Sequence, residues 1–353
     1  MDSDGPFWRT LFQRRITTRR LIQVVVVIGV IVLLYFALRP NTNGNGPNEK
    51  DLFMGPKFRF MSFNLWFNGH MVKDGLQKIA KHIKKVDPDV VALQEIQTVY
   101  ELDELLDLLG PDWNGAFRGG SRYVDDAIIS RHPLNFTESF SLNAGLGIEI
   151  LPSNTSKVRV VSLHLDWHSM GNYATNNRLV TSIDQILAGE STPPVFNRVD
   201  QVKQLLSHPT FKRWNVESTD IPVFIAGDFN SASHLDWAEN RKEEHGGWVV
   251  EWPTTKMIMD SGFLDSFRVV HPDPIAEPGD TWSLVEKHNW EWNLTIPEPQ
   301  DRIDFIFFKS PDLRVEDSYL YSGDEKANVR PNQFENDYPS DHYAMVSDFN
   351  FRA

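Results

Sequence analysis

Eight polar side chains stand where an otherwise apolar pattern gives them no packing role, and their types are those that move protons and hold phosphate or hard cations. Asn64 closes the run Met61-Ser62-Phe63-Asn64, and Glu95 closes Val91-Ala92-Leu93-Gln94-Glu95. A carboxylate at such a strand end can bind a divalent cation such as Mg2+ through oxygen. Taken singly, each reads first as a turn amide or a solvated acid. Asp228 and Asn230 follow the apolar run Ile221 to Ala226 and, being two apart, share one face of an extended chain, with Phe229 turned into packing. An acid and an amide side by side can polarise a water and hold a phosphoryl oxygen, although the same tripeptide also suits an Asx-turn.

Asp304 is a lone carboxylate in Arg302-Ile303-Asp304-Phe305-Ile306-Phe307-Phe308, a strand apolar on both faces. An unpaired buried charge there would cost several kcal/mol, so Asp304 needs a partner. The best candidate is His342 in Tyr338-Pro339-Ser340-Asp341-His342-Tyr343, because a carboxylate that orients an imidazole fixes its tautomer and raises its basicity. Asp341 and His342 can converge only at the turn that Pro339-Ser340 supplies. His164 shares a strand face with Val160 and Ser162, where the bland reading is a satisfied core histidine. Asp125 or Asp126 is its candidate carboxylate partner.

These residues need a scaffold of strand ends. Strand patterns occur at Phe58 to Phe63, Val90 to Leu93, Ala127 to Ser130, Val158 to Leu165, Ile221 to Ala226, Ile303 to Phe308 and Tyr343 to Phe349. Helical patterns intervene, one with Leu76, Ile79, Ala80 and Ile83 on a face and another over Tyr100 to Leu109, stopped by Gly110-Pro111. Mixed α/β is therefore the expected fold class. Six tryptophans, Trp237, Trp248, Trp252, Trp282, Trp290 and Trp292, crowd the segment between Asn230 and Asp304. Most read as structural, with one or two free to touch a headgroup or sugar.

The 353 residues contain no cysteine, which excludes thiolate metal sites, disulfides and a cysteine nucleophile. Residues 1–40 carry six Arg and two acids, net +4, leaving −17 on the rest of a chain whose total is −13. So acidic a domain gains no broad attraction to duplex nucleic acid or anionic lipid. A basic tail (1–20) precedes the apolar run Leu21 to Leu38, which as a helix spans about 27 Å, enough to cross a bilayer. Arg14, Arg15, Arg19 and Arg20 place the amino terminus in the cytosol and the bulk of the chain on the lumenal or extracellular side. The sequons at Asn135, Asn154 and Asn293 fit that orientation. Residues 39–56 read as a flexible linker, and residues 57–353 as one domain.

In this chain order the set resembles the endonuclease/exonuclease/phosphatase superfamily, the deoxyribonuclease I-like phosphoesterases, over Phe58 to Phe349. The resemblance implies a four-layered sandwich of two mixed β-sheets flanked by helices, here preceded by one transmembrane helix, and hydrolysis of a phosphate ester with Mg2+ or Mn2+. It makes Glu95 the main metal ligand, helped by Asn64 and Asp341. It makes Asp228 the residue that activates or orients water, and Asn230 the holder of a non-bridging oxygen. His342, held by Asp304, becomes a general base or a cationic clamp, and His164 a phosphate contact or leaving-group acid. The abasic-site endonuclease branch carries an acid where Trp66 stands and a tyrosine where His164 stands, so that branch is disfavoured. General nucleases, sphingomyelinase-like lipid phosphodiesterases and inositol-phosphate phosphatases remain.

The expected function is a membrane-anchored, metal-dependent phosphoesterase whose substrate is a lipid, a nucleotide or nucleic acid, with no protein partner predicted. The alternative is a tethered, non-catalytic binding protein of the same fold.

Overall fold

The computed structural model describes residues 53, 55–119, 123–153, 156–191 and 197–353. The expected basic tail, membrane span and most of the linker lie outside these, as does Asn154. Among the described residues no helix is long and apolar enough to cross a membrane. The compact unit that holds the site runs from Leu52 to Ala353. Its first residues are tied down: Gly55 N donates to Phe351 O at 3.1 Å, and Phe351 N donates to Pro56 O at 3.2 Å.

Among the described residues there are twelve strands: β1 (Lys57–Asn64), β2 (Val90–Ile96), β3 (Asn114–Phe117), β4 (Asp125–Ser130), β5 (Leu134–Leu142), β6 (Gly145–Ile150), β7 (Val158–His164), β8 (Val223–Asp228), β9 (Leu264–Asp265), β10 (Asp304–Lys309), β11 (Leu313–Tyr321) and β12 (Ala344–Phe351). They form two six-stranded sheets, in the orders β11-β12-β1-β2-β4-β3 and β5-β6-β7-β8-β10-β9. Each sheet is mixed, with one parallel pair at its centre, β1 with β2 and β7 with β8.

Alternation explains the layers. Along β1, Phe58 and Phe60 join a core that also contains Ile148, Val160, Phe224 and Ile306 of the other sheet, while Met61 and Phe63 point the opposite way. The first set is the sheet–sheet interface. The second packs beneath the helices Gly75–Val86 and Val99–Leu109, through Ile79, Ile83, Leu102 and Leu105. On the far side, Val161, Ile225 and Phe305 pack beneath Arg198–Ser207, Pro209–Val216 and Pro253–Asp260. Helix, sheet, sheet and helix give four layers. At Val99–Leu109, Thr98 caps the first turn by accepting from Glu101 N at 3.2 Å.

Sequence patterning finds the central strands and misses others. β3, β5, β9 and β11 are edge strands. β5 carries mostly polar or exposed residues, so its alternation is weak. β6 reads Gly-Leu-Gly-Ile-Glu-Ile, and Gly147 is needed because a Cβ there would lie 2.5 Å from the Phe140 ring. Of the described sequons, the Asn135 amide donates to Glu149 Oε1 at 3.0 Å, whereas Asn293 is exposed in a left-handed turn (φ 53°).

Candidate active site

Counting by two along the core-facing residues leads directly to the site. Phe58, Phe60 and Ser62 run on to Asn64; Val158, Val160 and Ser162 to His164; Phe224 and Ala226 to Asp228; and Phe308 and Ile306, read backwards, to Asp304. Each polar residue is therefore the end of an inward-facing row, and the rows meet where the two sheets stop being filled by apolar side chains. Gln94 bridges the sheets there, donating to Ser162 Oγ at 3.2 Å.

Register supplies the second dimension. Asp304 pairs with Asp228 across the β8–β10 ladder, and Asp228 pairs with His164 across β7–β8. Three chemically active side chains thus lie side by side on adjacent strands. Asp228 is the centre: its Oδ2 lies 3.0 Å from Asn64 Nδ2 and 3.7 Å from Nε2 of both His164 and His342. Each imidazole is backed by a carboxylate on its other nitrogen. His164 Nδ1 lies 2.8 Å from Asp125 Oδ1, and His342 Nδ1 lies 2.9 Å from Asp304 Oδ2. Asp126, the other candidate partner of His164, is wholly buried with no hydrogen bond to either carboxylate oxygen among the described residues, and its Oδ2 lies 3.8 Å from Arg118 Nε.

Glu95 does not follow the parity rule. The β2–β4 pairing shifts register between Leu93 and Ile96, and Glu95 takes φ 64°, a bulge that turns its side chain into the cavity. Its Oε1 accepts from Asn64 Nδ2 at 3.2 Å and its Oε2 from Phe67 N at 2.6 Å. That amide is delivered by three consecutive left-handed residues, Trp66, Phe67 and Asn68, with φ of 50°, 52° and 58°.

One expectation needs correction. Asn230 is not on an extended chain: β8 ends at Asp228, Asn230 has φ 47°, and its N–H donates to Asp228 Oδ1 at 2.8 Å, the Asx-turn alternative. Its side-chain amide donates to Leu165 O at 3.0 Å, although Asn230 still lines the cavity. Asn64, expected to help Glu95 hold a cation, accepts from Trp66 N through its Oδ1 at 3.0 Å, which leaves that oxygen a second lone pair. Its NH2 holds the Glu95 and Asp228 carboxylates together.

Burial and mutual fields tune these groups. Burial and the adjacent Asp304 push Asp228 up to about 6, partly offset by the two imidazoles. For His342, burial opposes the charged form, but Asp304 and Asp228 prevail and raise it to about 10. The same contest, won by Asp125 and Asp228, holds His164 well above the usual imidazole range. Burial lifts Asp341 well above the carboxylate range, and Glu95 adds to it against the pull of His342.

Two donor sets could hold a metal. Asp228, Asp304 and His342 have ligand atoms within 4.8 Å of one another, the one such group among the described residues. Asp304, however, is committed to Nδ1 of His342. Asp341 and Glu95 line the same cavity, and Asp341 Oδ1 is buried with no hydrogen-bond partner among the described residues. Two neighbouring acids and an orphaned oxygen suit a divalent cation, which would relieve both the repulsion and the burial.

The cavity above this floor measures about 760 Å³. Sequence reasoning missed much of its wall. Tyr173 and Glu298 carried no local signal, and Trp282, grouped with structural tryptophans, packs its ring 4.8 Å from the His342 ring. Trp237 and Trp252 are buried as expected, whereas Trp290 and Trp292 are exposed at the cavity. Thr281 was also missed: its Oγ1 accepts from the backbone N–H groups of Ile303 and Asp304 at 2.9 and 3.0 Å and so anchors the start of β10.

The chain matches the model of the Endonuclease/Exonuclease/phosphatase family over residues 61–342. An uncharacterised protein of Caenorhabditis elegans is 46% identical over 293 residues, which is 83% of this chain and 91% of that one. Among solved structures, the human Nocturnin catalytic domain with bound sulfate anion aligns with a TM-score of 0.50 at 18% identity, covering 84% of this chain and 96% of that one. An endonuclease/exonuclease/phosphatase family protein from Bacteroides thetaiotaomicron aligns with a TM-score of 0.53 at 15% identity, over 85% and 100%. At such identities these two structures speak to the fold alone.

Proposed function

The chain belongs to the endonuclease/exonuclease/phosphatase family, and from that premise we propose that it is a divalent-cation-dependent phosphodiesterase tethered to a membrane. The observation that carries the reading is the pair of carboxylate-backed imidazoles whose Nε2 atoms both lie 3.7 Å from one Asp228 oxygen. Such a constellation brackets a tetrahedral phosphorus with a base, a clamp and an acid.

Asp228, the most acidic of the three, orients water and takes its proton as the water oxygen bonds to phosphorus. His342 keeps its proton and, held by Asp304, acts as the cationic clamp on the charge that develops on the phosphoryl oxygens. His164, held protonated by Asp125, gives its proton to the leaving oxygen as the ester P–O bond breaks and its electron pair goes to that oxygen. Glu95 and Asp341 would hold Mg2+ or Mn2+, with Asn64 steadying Glu95. That ion supplies Lewis-acid neutralisation of the substrate's negative oxygens.

The basic flank and apolar run of residues 1–38 support a single-pass anchor with the catalytic domain lumenal or extracellular. The rival reading, a non-catalytic tethered binding protein, leaves two buried imidazole–carboxylate pairs without a purpose. The test is turnover of bis(p-nitrophenyl) phosphate by the full chain in an uncharged detergent, with Mg2+ or Mn2+ and after chelation. Metal-dependent release of nitrophenol is expected. Absence of turnover on this and a panel of lipid and nucleotide phosphodiesters would reject the proposal.

A further inference from the structure

The part of the cavity above the catalytic floor has a chemistry of its own. Beyond the floor, with its acids Glu95, Asp228 and Asp341 and its protonated His164 and His342, the described lining includes three more acids, Glu286, Glu291 and Glu298, against one further cation, Arg330. Arg330 is already spent. It is ion-paired with Glu286, and its guanidinium lies 4.7 Å from the centre of the Trp290 ring. The acids are not the only signal: Glu286 is 4% exposed and lines the cavity with its Oε2 buried and unbonded among the described residues.

The walls are aromatic. Tyr173 and Trp282 are fixed by donating from their hydroxyl and Nε1 to Glu298 Oε1, the latter at 3.1 Å, so their rings stand as rigid walls and not as mobile covers. Trp290, Trp292 and Trp167 are 56%, 61% and 62% exposed, more apolar surface than a soluble rim needs. Aromatic faces backed by carboxylates attract a weakly hydrated cation, and Arg330 on Trp290 is an internal instance of that contact. Among the described residues above the catalytic histidines, a second phosphate of a polynucleotide or polyphosphate would find no free countercharge.

Resting on the phosphodiesterase reading, we infer that the substituent carried by the scissile phosphate is an alkylammonium group, quaternary or primary, on a short spacer. The Trp282–Trp290–Trp292 wall and Glu291 receive this cation, and the same surface disfavours polyanionic substrates.

The test uses the full chain in a maltoside detergent and follows tryptophan fluorescence on titration with phosphorylcholine and with 3,3-dimethylbutyl phosphate, its uncharged carbon isostere. Phosphorylcholine is expected to bind about tenfold tighter, and the ratio to fall towards one in both Glu291→Gln and Trp290→Ala, surface changes that leave the core intact. A ratio near one in the native chain, or a preference unmoved by both variants, overturns the inference. Two substrate arms locate the source of the group. Hydrolysis of glycerophosphocholine over glycerophosphoglycerol supports a soluble ester, and hydrolysis of phosphatidylcholine over phosphatidylglycerol vesicles supports a lipid headgroup. Equal rates within both pairs overturn the assignment. Turnover of bis(p-nitrophenyl) phosphate is read in parallel. Its persistence beside a lost preference removes this inference alone, and its absence removes the phosphodiesterase reading.

Discussion

Asp228 and Asp304 are register partners on adjacent antiparallel strands, two buried carboxylates placed side by side with the His342 imidazole in reach of both. Two like charges in that position repel, which burial aggravates, so the arrangement persists because the His342 imidazole keeps a proton between them. The carboxylates differ in duty: Asp304 is turned to Nδ1 of His342, and Asp228 to the cavity.

Removing the charge from Asp304 therefore acts through His342. Asp304→Asn leaves the side chain's volume and takes away the partner that holds the imidazole protonated and oriented. We expect kcat on bis(p-nitrophenyl) phosphate to fall by about 10²–10⁴ with a small change in KM. Steady-state kinetics on a variant with native-like thermal unfolding check this, and a kcat within threefold or so of the native value would contradict it.

The pH profile tests His164. As leaving-group acid it must be protonated, and Asp125 and Asp228 hold its pKa above the ordinary imidazole value against burial. Activity that needs this proton is present below the raised pKa and lost as pH climbs through it. Asp125→Asn removes one of the two raising charges, so the alkaline limb of kcat should move to lower pH, by about a unit or more. An alkaline limb at the native position would show that His164 does not donate the proton.

Chelation tests the cation site. EDTA should abolish activity and Mg2+ or Mn2+ restore it. In Glu95→Gln, which loses a charge but keeps its size, half-maximal recovery should require about tenfold more metal. Thermal unfolding followed against added Mg2+ gives a reading independent of turnover: the midpoint should rise in the native chain and rise less in the variant. Full activity after exhaustive chelation would count against the cation.

Gly227 tests the link between fold and site. It has φ 142°, and a Cβ there would lie 1.8 Å from Leu163 O on the neighbouring strand. Gly227→Ala should force β7 and β8 apart, lowering stability by about 2 kcal/mol or more in urea unfolding and displacing Asp228. Unchanged stability would mean that the ladder yields more easily than its packing indicates.

Anchoring is tested by fractionation. The full chain should sediment with membranes, resist alkaline carbonate and be released by detergent, while a chain starting at Lys57 should stay in the supernatant. Equal solubility of both would reject the anchor.

Much of the site was legible before folding because strand parity is local. Once Phe58 and Phe60 are inward, Asn64 is inward too, and Asp304 inside an apolar strand announces a buried partner whatever that partner is. The edge strands and β6 were less legible, because β5 is half solvated and β6 is interrupted by two glycines, of which Gly147 makes room for Phe140.

By itself, then, the amino-acid order determined which residues could do chemistry, the central strands that carry them and the pairing need of Asp304, since these follow from side-chain type and a period of two. Tertiary structure alone decided the rest. The bulge that redirects Glu95, the Asx-turn at Asn230, the ladder that sets Asp228 between Asp304 and His164, and the wall of Tyr173, Trp282 and Glu298 all depend on pairings between distant segments. Local alternation says which way a side chain faces. Only the register of one strand against another says what it faces.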